Sequence, residues 1–254
     1  MQEETFPGLQ DAVTALDNDQ SDCEVKWERT RLYELGAWDF LGFAQDDLQD
    51  DSDRSRSNGI SNAKRAVACR VDEILTLSYL RPFMARERWG LPYKLEVIKK
   101  LDCPGPYVLR GYISDQRNVL EHEYRKPPDP DAVRYVADVT ELFLRATDDY
   151  VAAGWMISAS VSVRAEEQRR SEPGKEMSTV GKETYSMEFD HVDERINVTY
   201  AQSVEASVFR RRSGWMESTE TALKDPVARD VRLTDCDKEL LVDLARLLRK
   251  KARR

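Results

Sequence analysis

The 254-residue chain is poor in the residues from which metal and redox sites are usually built. It has two histidines and four cysteines, and the cysteines lie far apart with no C-x-x-C pair: Cys23, Cys69, Cys103 and Cys236. This spacing excludes a paired zinc motif, and reduced thiols are the expected state. We therefore expect neither a metal ion nor another cofactor.

The chain also lacks long apolar runs and an excess of positive charge. No stretch of about 18 apolar residues occurs, which argues against a membrane span, and the acidic start lacks the regions of a signal peptide. We expect a cytoplasmic protein. Because 39 Lys and Arg residues stand against 47 Asp and Glu, the net charge is −8. Nucleic acid could then be bound only through a locally basic surface.

Hydrophobic periodicity divides the chain into four parts. Residues 1–24 are predicted to be an acidic flexible tail, and 25–57 an N-terminal helix, from Glu24 to about Leu48, with a linker. Four helical stretches joined by short loops in 58–153 predict an antiparallel helical bundle. Residues 154–254 change to a period of two, which predicts a small antiparallel β-sheet, with 166–182 as a loop, followed by a C-terminal helix and a basic tail. The predicted fold class is α+β.

The third predicted helix, about 107–125, separates apolar from polar side chains. On a helical wheel one arc carries mostly apolar residues: Leu109, Tyr112, Ile113, Val119 and Leu120, interrupted by Gln116 and Glu123. The other face is polar and holds Arg110, Arg117, Asn118, Glu121, His122, Tyr124 and Arg125. A set of groups suited to chemistry is therefore expected on one side of this helix.

The spacing R-N-x-x-x-H-x-Y of Arg117, Asn118, His122 and Tyr124 resembles the R-x-x-x-x-H signature of HEPN-family ribonucleases. Its H-x-Y ending is similar to the HEPN toxins that pair with a minimal nucleotidyltransferase antitoxin. The resemblance covers about residues 58–153 and implies a HEPN-like bundle with the motif on an inner helix. It implies a metal-independent endoribonuclease of a toxin-antitoxin or antiviral defence type, in which Tyr124 is a possible target for adenylylation by the antitoxin.

These residue types suit RNA cleavage by attack of the ribose 2′-hydroxyl on the adjacent phosphate. His122 titrates near neutrality and can move the proton, and Arg117 can grip two phosphate oxygens. Asn118 can orient the imidazole or contact the substrate, and Tyr124 can contact RNA. Arg110 and Arg125 are the candidate substrate-binding residues.

One motif helix supplies a single Arg and a single His, whereas an acid and a base on opposite sides of a phosphate require two such groups. The resemblance implies a homodimer that brings two motif helices into one cleft. RNA is the expected substrate. The chain has no Gly-Ser followed by paired acids, so any nucleotidyltransferase antitoxin must be a separate protein.

Two alternatives stay open for the motif and for the remaining charged groups. Arg117 could simply pair with Glu121 at i,i+4, with His122 lying on the surface of the helix without a function. A separate alternative within the resemblance is a catalytically inactive HEPN-like nucleotide-sensing or protein-interaction scaffold. His191, between two aspartates, could bind a metal but is more often solvated. The stretch 210–215 and the basic tail 249–254 are either RNA-guiding patches or ordinary exposed charge.

Overall fold

The structure, a computed structural model, describes residues 8–18, 21–105, 127–164, 168–172, 175–210, 215–222 and 226–252. The chain divides into two compact units. The first, here called the helical unit, is the continuous stretch Glu28–Trp155. The second, here called the sheet unit, joins Met1–Trp27 to Met156–Arg254.

A block of helices separates the two parts of the chain that carry the strands. In chain order the described elements are α1 (Leu9–Asp17), β1 (Asp22–Glu28), α2 (Ala37–Asp47), α3 (Asp53–Leu77), α4 (Arg81–Glu87), α5 (Leu91–Lys100), α6 (Pro130–Ala152), β2 (Trp155–Arg164), β3 (Gln168–Glu172), β4 (Lys175–Asp190), β5 (Arg195–Arg210), β6 (Trp215–Ala222), β7 (Val227–Arg232) and α7 (Lys238–Ala252). The predicted α+β class is confirmed. Within the described ranges, no helix has the length and apolar character needed to cross a membrane.

Side-chain caps fix where the two long helices of the helical unit begin. Ser52 accepts a hydrogen bond from the Ser55 amide at 3.2 Å, and Asp129 accepts one from the Ala132 amide at 3.0 Å. Each oxygen satisfies an amide that has no partner inside its helix. Pro130 adds a fixed backbone angle at the first position of α6.

Two of the predicted helices, α5 and α6, agree with the structure, whereas the start of α3 differs. The helices predicted from Leu91 and after Asp129 are confirmed. α3, however, begins at Asp53 and not near Ile60, because Ser52 provides the cap. The polar residues 53–59, which were expected to be part of a linker, form its first two turns.

Helix α3 supplies much of the core of the helical unit and contacts α2, α4, α5 and α6. Side chains at three- and four-residue spacing, such as Val67, Val71 and Ile74, are fully buried along one side of it. Val136 and Leu144 of α6 are equally buried. Each such side chain contributes about 1.5–3 kcal/mol through loss of water-exposed apolar surface. The two long helices are thereby fixed against each other.

One long β-hairpin organises the sheet unit. Strands β4 and β5 pair antiparallel along their whole length of 16 residues each. β2 and then β3 pair with successive parts of β4, while β7 and β6 pair with successive parts of β5, all antiparallel. β1 lies beyond β2 at the edge. The predicted antiparallel sheet is confirmed.

The part of this sheet where β2 pairs with β4 and β7 pairs with β5 has one apolar face, which belongs to the core of the sheet unit. Every second residue is buried: Ala159 and Val161 in β2, Tyr185, Met187 and Phe189 in β4, and Ile196 and Val198 in β5. Helix α1 packs against α7, and each helix buries an apolar side. The period of two in the sequence therefore marked the correct strands.

The prediction of a loop over the polar stretch 166–182 is wrong, because most of its described residues form strands. Residues 168–172 form β3 and residues 175–182 form the first part of β4. From Ser178 to Lys182 no residue is buried. Because neither face of this part is buried, the hydrophobic alternation that reveals a strand is missing, and backbone pairing defines the strand instead.

The N-terminal region also differs from the prediction. Within the stretch expected to be a flexible tail, α1 buries a stripe of five apolar residues: Leu9, Ala12, Val13, Ala15 and Leu16. The helix expected from Glu24 to Leu48 is confirmed only over α2, since Asp22–Glu28 form strand β1. Strand β1 alternates exposed charged residues with half-buried Cys23, Val25 and Trp27. The many acidic residues around them made both the apolar stripe of α1 and the alternation of β1 hard to recognise in the sequence.

Candidate functional site

The predicted site lies outside the described residues. All six of its members, Arg110, Arg117, Asn118, His122, Tyr124 and Arg125, belong to the segment 106–126. Their roles therefore stay predictions. The structure does describe the two elements between which this segment runs, α5 and α6, and both belong to the helical unit.

The described residues on both sides of the segment lie at defined points along α6. Gly105, with φ of +88°, lies so close to Phe143 that a Cβ would be 3.2 Å from the Cδ2 atom of its ring. The chain returns just before Asp129, the cap of α6. At 1.5 Å per residue, Phe143 and Pro130 are about 20 Å apart along the helix. The 21-residue segment therefore connects two points spaced along one helix.

An apolar groove of about 400 Å³ lies on α6 beside Gly105. It is lined by Gly105, Tyr135, Asp138, Val139, Leu142, Phe143 and Ala146. Leu142 is 67% exposed and Tyr135 is 49% exposed, so this side of α6 leaves much apolar surface open. The described lining contains no cation. Phosphate binding near this groove would require basic side chains from elsewhere.

A buried charged cluster joins α6 to α3. The Arg70 side chain of α3, 4% exposed, forms ion pairs with Glu73 at 3.0 Å and with Asp148 of α6 at 2.9 Å. Its Nη1 atom also donates to the Leu144 carbonyl and the Thr147 hydroxyl, each at 3.2 Å. The contact of Nε with Glu73 is close but lies off the hydrogen-bond direction. The cluster ties α3 to α6.

The same cluster reaches α2 through Asp148. The Trp38 indole nitrogen donates to the Asp148 carboxylate at 2.9 Å, and the Arg145 guanidinium lies over the Trp38 ring at 5.5 Å. Burial raises the pKa of Glu73, while the adjacent Arg70 opposes this rise. Since α2, α3 and α6 share these contacts, the cluster fixes these three helices relative to one another.

The comparisons with known proteins identify no relative. No family model matches the chain, and neither the curated proteins nor the solved structures contain a match.

The turn that contains His191 has a structural explanation. The Asp190 carboxylate accepts hydrogen bonds from the Val192 and Asp193 amides, both at 2.9 Å, and these bonds lower the pKa of Asp190. His191 is exposed in the turn between β4 and β5. Throughout the described part of the chain, no group of three His, Cys, Asp or Glu residues is placed to hold a metal ion.

The basic tail is partly structural. Arg249 is 7% exposed and its guanidinium lies over the Trp27 ring at 4.8 Å. The Lys251 ammonium donates to the Asn18 carbonyl at 2.8 Å and to the Ser21 hydroxyl at 2.9 Å. These two cations hold α7 to the N-terminal part of the sheet unit. In the other predicted patch, Arg211 and Arg212 lie outside the described residues.

The buried cluster is the feature that inspection of the sequence missed. Arg70 lies three residues after Val67 and four before Ile74, which places a charge on the apolar stripe of α3. Such a position signals a buried, paired arginine, because an unpaired buried charge is too costly. Its partner Asp148 could not be found in this way, since it lies 78 residues away in the chain.

Proposed function

We propose that the protein is a HEPN-type, metal-independent endoribonuclease of a toxin-antitoxin or antiviral defence system. The observation that carries this proposal is the R-N-x-x-x-H-x-Y spacing of Arg117, Asn118, His122 and Tyr124. Two features support it. The segment joins α5 to α6 in an all-helical environment, and α3 and α6 are firmly fixed to each other by the Arg70 cluster.

The proposed reaction transfers a phosphoryl group from the 5′-oxygen of one nucleotide to the 2′-oxygen of the preceding one. A ribose 2′-hydroxyl loses its proton to one His122 imidazole and attacks the adjacent phosphorus, while the bond to the 5′-oxygen breaks. The leaving oxygen takes a proton from a second imidazolium, so a 2′,3′-cyclic phosphate and a 5′-hydroxyl are formed. Arg117 stabilises the negative charge that develops on the phosphate oxygens.

The second imidazole requires a second copy of the chain. We propose a two-fold homodimer in which both motif helices line one cleft, with Asn118 orienting each imidazole and Tyr124 contacting RNA. Arg110 and Arg125 are proposed to hold the flanking phosphates. A separate nucleotidyltransferase antitoxin that adenylylates Tyr124 is the proposed partner.

The test uses the second histidine of the chain, His191, as the control for His122. We expect His122→Ala to lower RNA cleavage by about 10²–10⁴-fold, the usual contribution of a general acid or base. His191→Ala, in an exposed turn of the sheet unit, should leave cleavage unchanged. Arg117→Ala should likewise lower cleavage strongly, with Arg134→Ala on the exposed side of α6 as its control.

The products and the metal dependence complete the test. Mass spectrometry should find 2′,3′-cyclic phosphate ends, and EDTA should not inhibit cleavage. Circular dichroism should show that His122→Ala is folded. If a folded His122→Ala variant cleaves RNA as well as the unchanged protein, the nuclease proposal is wrong and the HEPN-like scaffold takes its place.

A further inference from the structure

Exposed positive charge is concentrated in α4, α5 and the corner between them, within the helical unit. Residues 81–100 contain six Lys and Arg residues and two Glu, a net charge of +4 in a chain whose total is −8. Five of the six cations are exposed: Arg81, Arg86, Arg88, Lys99 and Lys100. The sixth, Lys94, forms a 2.7 Å ion pair with Asp72. A local basic surface therefore exists on an acidic protein.

Aromatic side chains lie within this basic surface. Tyr93 is 42% exposed, and its ring meets the ring of the largely buried Trp89 at 5.0 Å in an edge-to-face arrangement. The Trp89 indole nitrogen donates to Glu87 at 2.8 Å, and Arg86 lies 3.4 Å from the same carboxylate. These contacts fix the corner between α4 and α5, so that the exposed face of Tyr93 is held in place.

The exposed side of α5 places the tyrosine and the lysines in one row. With buried Leu95, Val97 and Ile98 on the opposite side, the helical positions of Tyr93, Lys99 and Lys100 fall within one arc of about 120°. Tyr93 and Lys100 are two turns apart, about 10 Å along the helix. This distance suits a base at one end and a phosphate one or two nucleotides away at the other.

We propose that this α4–α5 surface binds single-stranded RNA, with the Tyr93 ring stacking on a base and Lys99 and Lys100 contacting phosphates. Basic side chains around an exposed aromatic ring are the usual means of binding single strands without sequence preference. The choice of RNA rests on the proposed function. In the chain, the surface directly precedes the segment that carries Arg117 and His122.

The experiment measures binding of a fluorescein-labelled 2′-O-methyl oligouridylate, which lacks the attacking hydroxyl and cannot be cleaved. Fluorescence anisotropy of the full chain is recorded over a range of KCl concentrations. Each phosphate contact contributes roughly 0.7 to the slope of log affinity against log salt on single strands. The double variant Lys99→Ala/Lys100→Ala should therefore flatten the slope by about 1.4. The control Lys26→Ala/Lys250→Ala removes two exposed lysines of the sheet unit and should not change the slope.

The tyrosine gives an independent readout. Tyr93→Ala should weaken binding about fivefold or more at every salt concentration while leaving the slope unchanged, because stacking releases no counterions. The proposal is overturned if the Lys99→Ala/Lys100→Ala slope equals that of the control. It is also overturned if the oligouridylate does not bind at micromolar protein while heparin does, since the surface would then take another polyanion.

Failure of this surface and failure of the nuclease can be distinguished. If the unchanged protein cleaves RNA but Lys99→Ala/Lys100→Ala binds it as the control does, only the α4–α5 surface is wrong. If the surface binds RNA as expected but the unchanged protein cleaves none, the surface stands and the nuclease proposal falls.

Discussion

Replacement of Arg70 by methionine should destabilise the helical unit strongly. The change removes the two ion pairs with Glu73 and Asp148 and the hydrogen bonds to Leu144 and Thr147. Removing one partner of a buried pair costs about 3–5 kcal/mol. Because the Asp148 side chain is 44% exposed and can be solvated, the lower end, about 3 kcal/mol, is expected. Glu73, with 12% exposure, is the group left unpaired in the core.

The cost should depend on pH in a direction that follows from Glu73. Burial raises its pKa in the folded protein, and loss of Arg70 removes the charge that opposes this rise. A carboxyl group with a raised folded pKa ionises first in the unfolded chain, so stability falls as the pH rises through that pKa. We therefore expect Arg70→Met to lose less stability at about pH 5 than at about pH 8.

The measurement is urea unfolding followed by circular dichroism at 222 nm, which reports mainly on the helices. Arg145→Met is the matched control. Arg145 lies on α6 three residues before Asp148, is 65% exposed and pairs with Glu141 at the surface. Its replacement should cost less than about 1 kcal/mol. Arg70→Met/Glu73→Met should recover part of the loss, because both buried charges are then gone. Equal costs for the two arginines would refute this reasoning, as would a cost for Arg70→Met that grows in acid.

Three further predictions concern other described residues. Gly154→Ala should cost more than about 2 kcal/mol in urea unfolding, because φ is +82° and a Cβ would lie 2.1 Å from the Glu28 carbonyl oxygen. Gly42→Ala in α2, with nothing within 4 Å, should instead stabilise by about 0.5–1 kcal/mol, and the reverse order of the two would contradict the geometry. Burial raises the pKa of Cys69 to about 12 and of Cys23 and Cys236 to about 11. Iodoacetamide at about pH 8 should therefore modify the native protein far more slowly than the urea-unfolded chain, as mass spectrometry can show; fast native labelling of any of the three would be inconsistent with this. Lys251→Met should cost about 1 kcal/mol through loss of its bonds to Asn18 and Ser21, whereas Lys250→Met should be neutral in the same unfolding assay.

The elements that the sequence predicted well are those with one buried side. α6 shows a clear stripe from Val133 to Tyr150, a capping Asp129 and a proline at its start, so its bounds follow directly. In β2, β4 and β5, the alternation around Val161, Met187 and Val198 marks the buried face of the sheet. In both cases the periodicity of burial is written into the sequence.

Elements without such a pattern could not be predicted. From Ser178 to Lys182 β4 has no buried residue that would produce an alternating pattern, and β3 is defined by its backbone pairing with β4. Strand β1 is specified by its neighbour β2, which lies more than 100 residues later in the chain. For the candidate site, the sequence indicated the motif residues but not the Arg70 cluster, whose partner Asp148 is brought close only by packing of α3 on α6.

The discontinuity of the sheet unit determines the order in which the protein can fold during synthesis. The helical unit is one continuous stretch that ends at Trp155 and has all its residues once that point has left the ribosome. The sheet unit needs α1 and β1 from the beginning of the chain and α7 from its end, and Lys251 contacts Ser21 across 230 residues. At about 5–20 residues per second, the first strand waits roughly 5–20 s after the helical unit is complete. During that time α1 exposes its apolar stripe, so slow translation of codons 156–252 would make the nascent chain prone to capture by chaperones.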